Sequence, residues 1–481
     1  MSKIGRPLAI LELMIEMGFF EEGEALPEQE DFSARYDVFV QELNEIYKEL
    51  EEHHEKLDKR VNLNKICSEI LKRQLKDSRG RQKKRRIEKA KEREARIKAW
   101  KEHLKNELIT VGSRYSRLLN DTTSDETKLH QQGLPVLHTW DDITKLLGIE
   151  LKKLRWLVYY EPVSFYEHYI EYRVPKRSGG YRTISAPMPQ LKHVQRTILD
   201  EILNKIPLHD AAHGFAIGRS IRTNAAMHEN PFMIINVDIR DFFPSITYQR
   251  VLGLFRALGY SGQISTLLAL LTTYTPRRKM KWRGKDVYVS KGQRILPQGA
   301  PTSPAITNLI CRRLDVRFSK LAEKENVTYS RYADDITFSI PQPEIPDNQM
   351  DHINEKIGKI LGMTHKTLQA EGFEVHKKKT RVLKPRHRQE ITGLVVNNGG
   401  TRIPRPWLRR LRAILHNMKK HGIKSQDRDE IGLKRFYCKI SGMCSYVNMV
   451  DSEKGKALWN EWNEIKKLHA DELKELQLDS S

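Results

Sequence analysis

The stretch Tyr332-Ala333-Asp334-Asp335 constrains this chain more than any other. Two adjacent carboxylates follow a small residue and an aromatic. Apolar runs at Val327–Tyr329 and Ile336–Ile340 flank them and predict two strands joined at the acids. Neighbouring carboxylates repel, so a fold that keeps them together needs positive charge beside them, most simply a divalent metal. A third acid, Asp238, ends another apolar run, Ile234-Ile235-Asn236-Val237-Asp238-Ile239. Two strands that each bring acid to one edge supply the donor set of a metal-dependent nucleotidyl transfer centre. Such centres use two metals, one on the attacking hydroxyl and one on the triphosphate. Asp238, Asp334 and Asp335 are therefore the candidate catalytic residues and metal ligands, with two Mg²⁺ as the expected cofactor and Mn²⁺ as an alternative.

The charge balance points the same way. The 481 residues carry 84 Lys and Arg against 62 Asp and Glu, a net charge of +22. Residues 1–57 hold 15 acids and 5 bases, so the remainder carries +32. Excess of this size and segregation implies a polyanionic partner, most simply nucleic acid. Cys67, Cys311, Cys438 and Cys444 are scattered, without zinc spacing or a disulfide framework, and read as reduced thiols in a cytoplasmic protein. No apolar run is long enough to cross a membrane, and no membrane partner is expected. Leu8–Phe20 carries Glu12 and Glu16 and reads as a short amphipathic helix rather than a signal peptide.

Composition suggests the following organisation. Residues 1–57 form an acidic helical segment, with Val40, Leu43, Ile46, Tyr47, Leu50 and Leu57 at helical spacing. Residues 58–132 form a basic helical arm and linker. Within it, Lys72–Arg86 holds nine bases and one acid, Asp77, and the polar run Asn120–Gln132 reads as the linker. Ile87, Ala90, Ile97, Trp100, Leu104 and Leu108 support a long charged helix, either packed on the main body or serving as an arm for RNA or a second protein. After Pro135, Trp140–Leu147 and Leu151–Tyr159 predict two helices around Gly148. From Phe165 strands and helices mix, giving an α+β body. Residues 403–470 return to helical spacing.

Further motifs carry chemistry. Phe243 follows Asp238 by five residues, near enough to lie under the sugar of a nucleotide and clash with a 2′-hydroxyl. Pro297-Gln298-Gly299 is a turn in which Gly299 lets backbone approach a ligand and Gln298 can hydrogen-bond a nucleotide. Tyr172 to Arg182 predicts a hairpin with a basic tip, where Lys176 and Arg182 can hold phosphates. A basic cluster includes Lys377, Lys378, Lys379, Arg386, Arg388, Arg402, Arg405, Arg409, Arg410 and Arg412, with Trp407 among them. Such side chains bind phosphates and stack on unpaired bases.

In this order, the pieces resemble the bacterial retron-type reverse transcriptases over roughly residues 136–450. The Tyr-x-Asp-Asp box is Tyr332 to Asp335, the first acid Asp238, the aromatic gate Phe243 and the Pro-Gln-Gly box Pro297 to Gly299. Asn224-Ala225-Ala226-Met227-His228 is similar to the family's Asn-Ala-x-x-His element. Ile391-Thr392-Gly393 stands where the family usually has Val-Thr-Gly. The resemblance implies a right-hand polymerase with fingers, a ferredoxin-like palm and a helical thumb. On that basis residues 133–235 are fingers with N-terminal helices, 236–395 palm with finger insertions, and 396–481 thumb and C-terminal helices. It also implies RNA contacts for Asn224, His228, Ile391, Thr392 and Gly393. The implied activity is RNA-templated synthesis of DNA from deoxynucleoside triphosphates on a structured noncoding RNA. Priming from a guanosine 2′-hydroxyl would give a branched RNA–DNA product. A place in anti-phage defence and an effector protein partner are implied as well. The long N-terminal region lies outside the resemblance. Two other readings stand beside it: a different defence reverse transcriptase making untemplated or protein-primed DNA, and an RNA-binding scaffold with a relic polymerase core. No His/Asn nuclease segment follows the basic helical region, which argues against a group II intron maturase.

Overall fold

The computed structural model describes residues 41–42, 44–50, 53, 63–112, 114–176, 179–342, 350–385, 387–397, 399–426 and 432–472. The expected helix at Leu8–Phe20 and the tip residues Arg177 and Ser178 lie outside these, as does Arg386. The chain divides into two compact units, Met1–Glu102 and His103–Ser481.

In the first unit, residues 41–42, 44–50 and 53 are helical, and Ile46, Tyr47 and Leu50 are exposed. The helix Leu63–Asn106 starts here and runs unbroken through Gly80 for 44 residues, a length of about 66 Å. Its exposed apolar residues include Ile66, Ile70, Leu71, Leu75, Ile87, Ile97 and Trp100. They do not gather into one stripe, because charged residues interrupt every turn.

The second unit begins with a surprise. The polar run 120–132 is not a linker. Asp125 caps a helix, Glu126–Gln131, by accepting from Lys128 N, and Leu129 is fully buried. Asp121 accepts from Gly262 N at 3.1 Å and Arg256 Nη1 at 3.0 Å, and Ser124 Oγ accepts from Ser261 N at 2.8 Å. Polar side chains there satisfy backbone donors of the core instead of facing water. Helices Trp140–Leu147 and Leu151–Val158 follow, separated at Gly148, whose φ of 62° ends the first.

The strands then appear in order. β1 (Val163–Ser164) is short, and β2 (Tyr169–Pro175) pairs with β3 (Tyr181–Pro187) as an exposed hairpin. β4 (Met233–Asp238) is central, with β5 (Arg277–Trp282) and β6 (Lys285–Ser290) forming a second hairpin that joins β1. β7 (Thr328–Tyr332), β8 (Asp335–Ile340) and β9 (Arg381–Leu383) complete a four-stranded antiparallel sheet, order β7-β8-β4-β9. β10 (Glu390–Ile391) and β11 (Leu394–Val395) make a small ribbon.

The main core includes Ile235, Val237, Ile336 and Phe338 of this sheet, together with the wholly buried helix Gly262–Thr272 and apolar residues of Tyr248–Leu258. Residues 403–470 are helical as expected: Arg405–His421, Leu433–Val450 and Ser452–Leu468. Their Leu411, Leu415, Ile440, Val447 and Trp462 form a second core with Ile391 and Leu394.

Candidate active site

Antiparallel pairing brings the three acids to one edge of the central sheet. Asp238 ends β4 and stands opposite Asp335, the first residue of β8. Asp335 also pairs with Tyr332 at the end of β7, so Ala333 and Asp334 form a two-residue turn. Ala333 has a φ of 58°, a twist that suits such a tight turn. Ile239 N donates to Asp334 O at 3.0 Å, which fixes this turn to the end of β4.

The turn is held from behind. Arg331 is fully buried and pairs bidentately with Asp315, with Nε–Oδ1 and Nη2–Oδ2 both at 2.7 Å. Its Nη1 donates to Asn308 Oδ1 at 3.0 Å and to Ala333 O at 3.1 Å. Tyr329 Oη donates to Asp315 Oδ1 at 2.7 Å. Burial opposes the Arg331 charge, but the Asp315 carboxylate outweighs it and raises the guanidinium pKa. Gly214 lies against the same turn: a Cβ there would fall 2.5 Å from Ala333 N.

Electrostatically the acids are unhappy alone. Burial pushes the Asp335 carboxyl up to about 7, and the Asp334 and Asp238 carboxylates push the same way. Burial and then Asp238 raise Asp334, against a downward pull from Lys379 and Arg182. Asp335 is nonetheless exposed to solvent. Lys379 Nζ donates to both oxygens of Asp238, at 3.0 and 2.8 Å. An ammonium thus already stands where positive charge is required.

The donors are hard carboxylate oxygens, which suit Mg²⁺ or Mn²⁺. No closed group of three or more ligands is preformed among the described residues; Asp238, Asp334 and Asp335 are the residues that would hold a divalent metal, and Lys379 would compete with it at Asp238. The raised carboxyl pKa values and the cation on Asp238 both fit a site completed by positive charge.

The other sequence-predicted residues fall into three groups. Phe243 is half-buried, with its ring 6.5 Å from Phe215; the Phe215 ring is 6.4 Å from Tyr332. Sequence reasoning missed Phe215, which carries no motif. Gln298 is anchored through its carbonyl, which accepts from Ser185 N at 2.8 Å on β3. Gly299 has a φ of 132°, and a Cβ there would meet Ile184 Cγ2 at 2.8 Å, so the loop packs tightly on the β2–β3 hairpin. Lys176 and Arg182 are exposed on that hairpin, and Arg182 is close enough to act on Asp334.

A second group is buried. Asn224, His228 and Ile391 are each 1% exposed. His228 Nδ1 lies 2.6 Å from Ser339 Oγ, and its Nε2 lies 2.7 Å from Ser330 Oγ. Ser330 Oγ donates to Asn224 Oδ1 at 2.8 Å. The expected RNA contact by these three side chains is therefore corrected. The Asn and His lock the segment 221–228 to β7 and β8, and Ile391 fills the second core. Thr392 and Gly393 form the turn between β10 and β11, with φ of 47° and 87°.

The third group is basic surface. Arg405, Arg409, Arg410 and Arg412 are exposed on helix Arg405–His421, while Trp407 is partly buried against Tyr446 at 5.0 Å. Lys377, Lys378 and Lys379 form a short 3-10 turn, and its last residue faces Asp238 rather than solvent alone.

The profile of the family described as "Reverse transcriptase (RNA-dependent DNA polymerase)" matches residues 174–396. The chain is 41% identical over 350 residues to the retron Mx162 reverse transcriptase of Myxococcus xanthus, covering 72% of this chain and 70% of that one. It belongs to the retron reverse transcriptases. The retron Mx65 enzyme of the same organism is 38% identical over 345 residues, 71% of this chain and 75% of that protein. The retron Ec86 reverse transcriptase of Escherichia coli is 32% identical over 291 residues, 60% of this chain and 81% of that one. This retron reverse transcriptase is an RNA-directed DNA polymerase with a right-hand fold. Its family depends on divalent metal. No helix among the described residues is long and apolar enough to cross a membrane.

Proposed function

We propose that this enzyme copies part of a dedicated structured noncoding RNA into DNA joined to that RNA, a branched msDNA, in cytoplasmic anti-phage defence with an effector protein. The convergence of Asp238, Asp334 and Asp335 at one sheet edge carries the chemical half of this reading. The retron relatives support the biological half.

Asp238, Asp334 and Asp335 hold two Mg²⁺ ions. Bound there, Mg²⁺ supplies the charge that acidifies the attacking hydroxyl and steadies the triphosphate. Lys176 and Arg182 bind the triphosphate, Gln298 and Gly299 border the nucleotide, and Phe243 excludes the ribose 2′-hydroxyl. Lys377, Lys378, Arg405, Arg409 and Arg410, with the Thr392-Gly393 turn, grip RNA phosphates. The basic helix 63–106 adds a further RNA-binding arm. Residues 133–235, 236–395 and 396–481 act as fingers, palm and thumb.

Purification of the enzyme from cells, followed by sequencing of bound nucleic acid, tests this reading. The expected result is one RNA species covalently joined to a DNA of fixed sequence, with the junction resistant to ribonuclease and cut by a debranching enzyme. DNA with no RNA template, or DNA attached to protein, would refute it.

A further inference from the structure

Between the buried helix Gly262–Thr272 and the Pro297–Gly299 loop, the chain projects the hairpin β5–β6, which the acid site does not use. Its register pairs Trp282 with Lys285, leaving Arg283 and Gly284 as a two-residue turn. Both have positive φ, 49° and 76°, as a tight hairpin turn requires. β5 is the outer strand of its sheet, order β1-β6-β5. Strand alternation sets Arg278, Met280 and Trp282 on one face and Lys279 and Lys281 on the other.

Two properties of this hairpin call for a partner. The first is apolar surface: Trp282 is 54% exposed and Met280 49%. The Arg283 guanidinium lies over the Trp282 ring at 4.6 Å, a cation already stacked at the tip. The second is charge. Residues 277–290 contain six bases and one acid. Lys279 pairs with Asp286 at 2.7 Å and Arg277 with Glu167 at 3.4 Å. Arg278, Lys281, Arg283 and Lys285 have no carboxylate partner among the described residues.

An apolar protein groove would take up Trp282 only by stripping water from these four cations, which is costly. A polynucleotide gains from both features, because phosphates meet the cations and a base stacks on the indole. Stacking requires an open base face, which a continuous duplex does not offer.

We propose that the β5–β6 hairpin binds an unpaired stretch of the RNA, with a base stacked on Trp282 and the flanking phosphates on Arg278, Arg283 and Lys285. This rests on the RNA-templated reading above and adds a grip on the RNA from a sheet other than the one that carries the acids.

Fluorescence anisotropy with the full chain tests it. The probes are a labelled oligouridylate single strand and an RNA duplex of equal length. Trp282→Ala is expected to weaken single-strand binding about five-fold or more, to leave duplex binding at the wild-type level, and to keep the melting temperature. Trp282→Phe is expected to restore most of the loss. The double variant Arg283→Ala/Lys285→Ala is expected to flatten the salt dependence of single-strand binding by about 1.4 in log–log slope. Unchanged single-strand affinity in Trp282→Ala would overturn the proposal. So would equal losses on strand and duplex, or intact RNA binding with loss of a copurifying protein. A wild-type enzyme that makes no DNA on RNA would overturn the underlying reading instead, so the two failures are distinguishable.

Discussion

Lys379 grips both carboxylate oxygens of Asp238, at 3.0 and 2.8 Å, in the space where the acids of this polymerase need positive charge. The lysine is a competitor for any metal on Asp238. Lys379→Met is expected to lower the Mg²⁺ concentration needed to stabilise the protein several-fold. It should also cost the metal-free protein about 1 kcal/mol, since the pair is partly exposed. Thermal melting across a Mg²⁺ titration checks both, and an unchanged midpoint of the titration would remove Lys379 as a competitor.

Asp334→Asn separates chemistry from folding. Loss of one charge relieves Asp335 and Asp238, so the metal-free variant is expected to melt higher than wild type. Deoxynucleotide incorporation is expected to fall by about 10²- to 10³-fold or more. The added stability from Mg²⁺ should shrink with it. A variant that is active at the wild-type rate would dismiss the two-metal assignment.

Phe243→Ala tests sugar selection. The expected change is a drop of roughly 10- to 200-fold in discrimination between deoxynucleotides and ribonucleotides, the scale of a lost steric wall. Single-nucleotide insertion with dNTP and rNTP pairs gives the ratio directly. Because Phe215 neighbours Phe243, Phe215→Ala should show a smaller change in the same direction.

The Arg331–Asp315 pair is completely buried. Arg331→Met is expected to cost about 3–5 kcal/mol, because Asp315 is left as an unpaired interior charge. Asp315→Leu/Arg331→Met together should recover much of that stability, while incorporation stays low because Ala333 O has lost its donor. Urea unfolding and primer extension on the same three proteins separate the two effects.

His228 predicts a pH dependence. Burial drives its pKa from 6.5 to about 3, so the folded enzyme refuses a proton that the unfolded chain accepts. Stability from this group is complete above about pH 6.5 and falls as the pH drops toward 3, by roughly 2 kcal/mol at pH 5. His228→Gln should be less stable than wild type near neutrality yet lose less on acidification. Urea unfolding near neutrality and near pH 5 measures both slopes, and parallel losses would contradict the prediction.

The acid site was legible because its logic is local. Apolar runs ending in Asp238 and beginning after Asp335 define both strands and the edge they share. The packing behind the site was not legible. Arg331 stands next to Tyr332 in sequence, but nothing local says that Asp315 waits on a helix to meet it. Asn224 and His228 misled for a related reason. A motif of polar residues suggests recognition, whereas here the Ser330 and Ser339 hydroxyls turn it into an interior tie. The run 120–132 misled because polar composition reads as solvent exposure, while its side chains serve buried backbone donors.

Gly214 gives the site a mechanical property. Ala211 O accepts from Arg331 N at 2.7 Å, His213 N donates to Arg331 O at 2.8 Å, and Gly214 lies so close to the acid turn that a Cβ on it would fall 2.5 Å from Ala333 N. Phe215, the next residue, touches the aromatic wall formed with Tyr332 and Phe243. The segment 211–215 is therefore joined to the strand and turn that carry the acids both through backbone and through the Phe215 ring. If Phe243 selects the sugar as proposed, the wall it shares with Phe215 and Tyr332 ties fit at the nucleotide to the same turn that sets the acids.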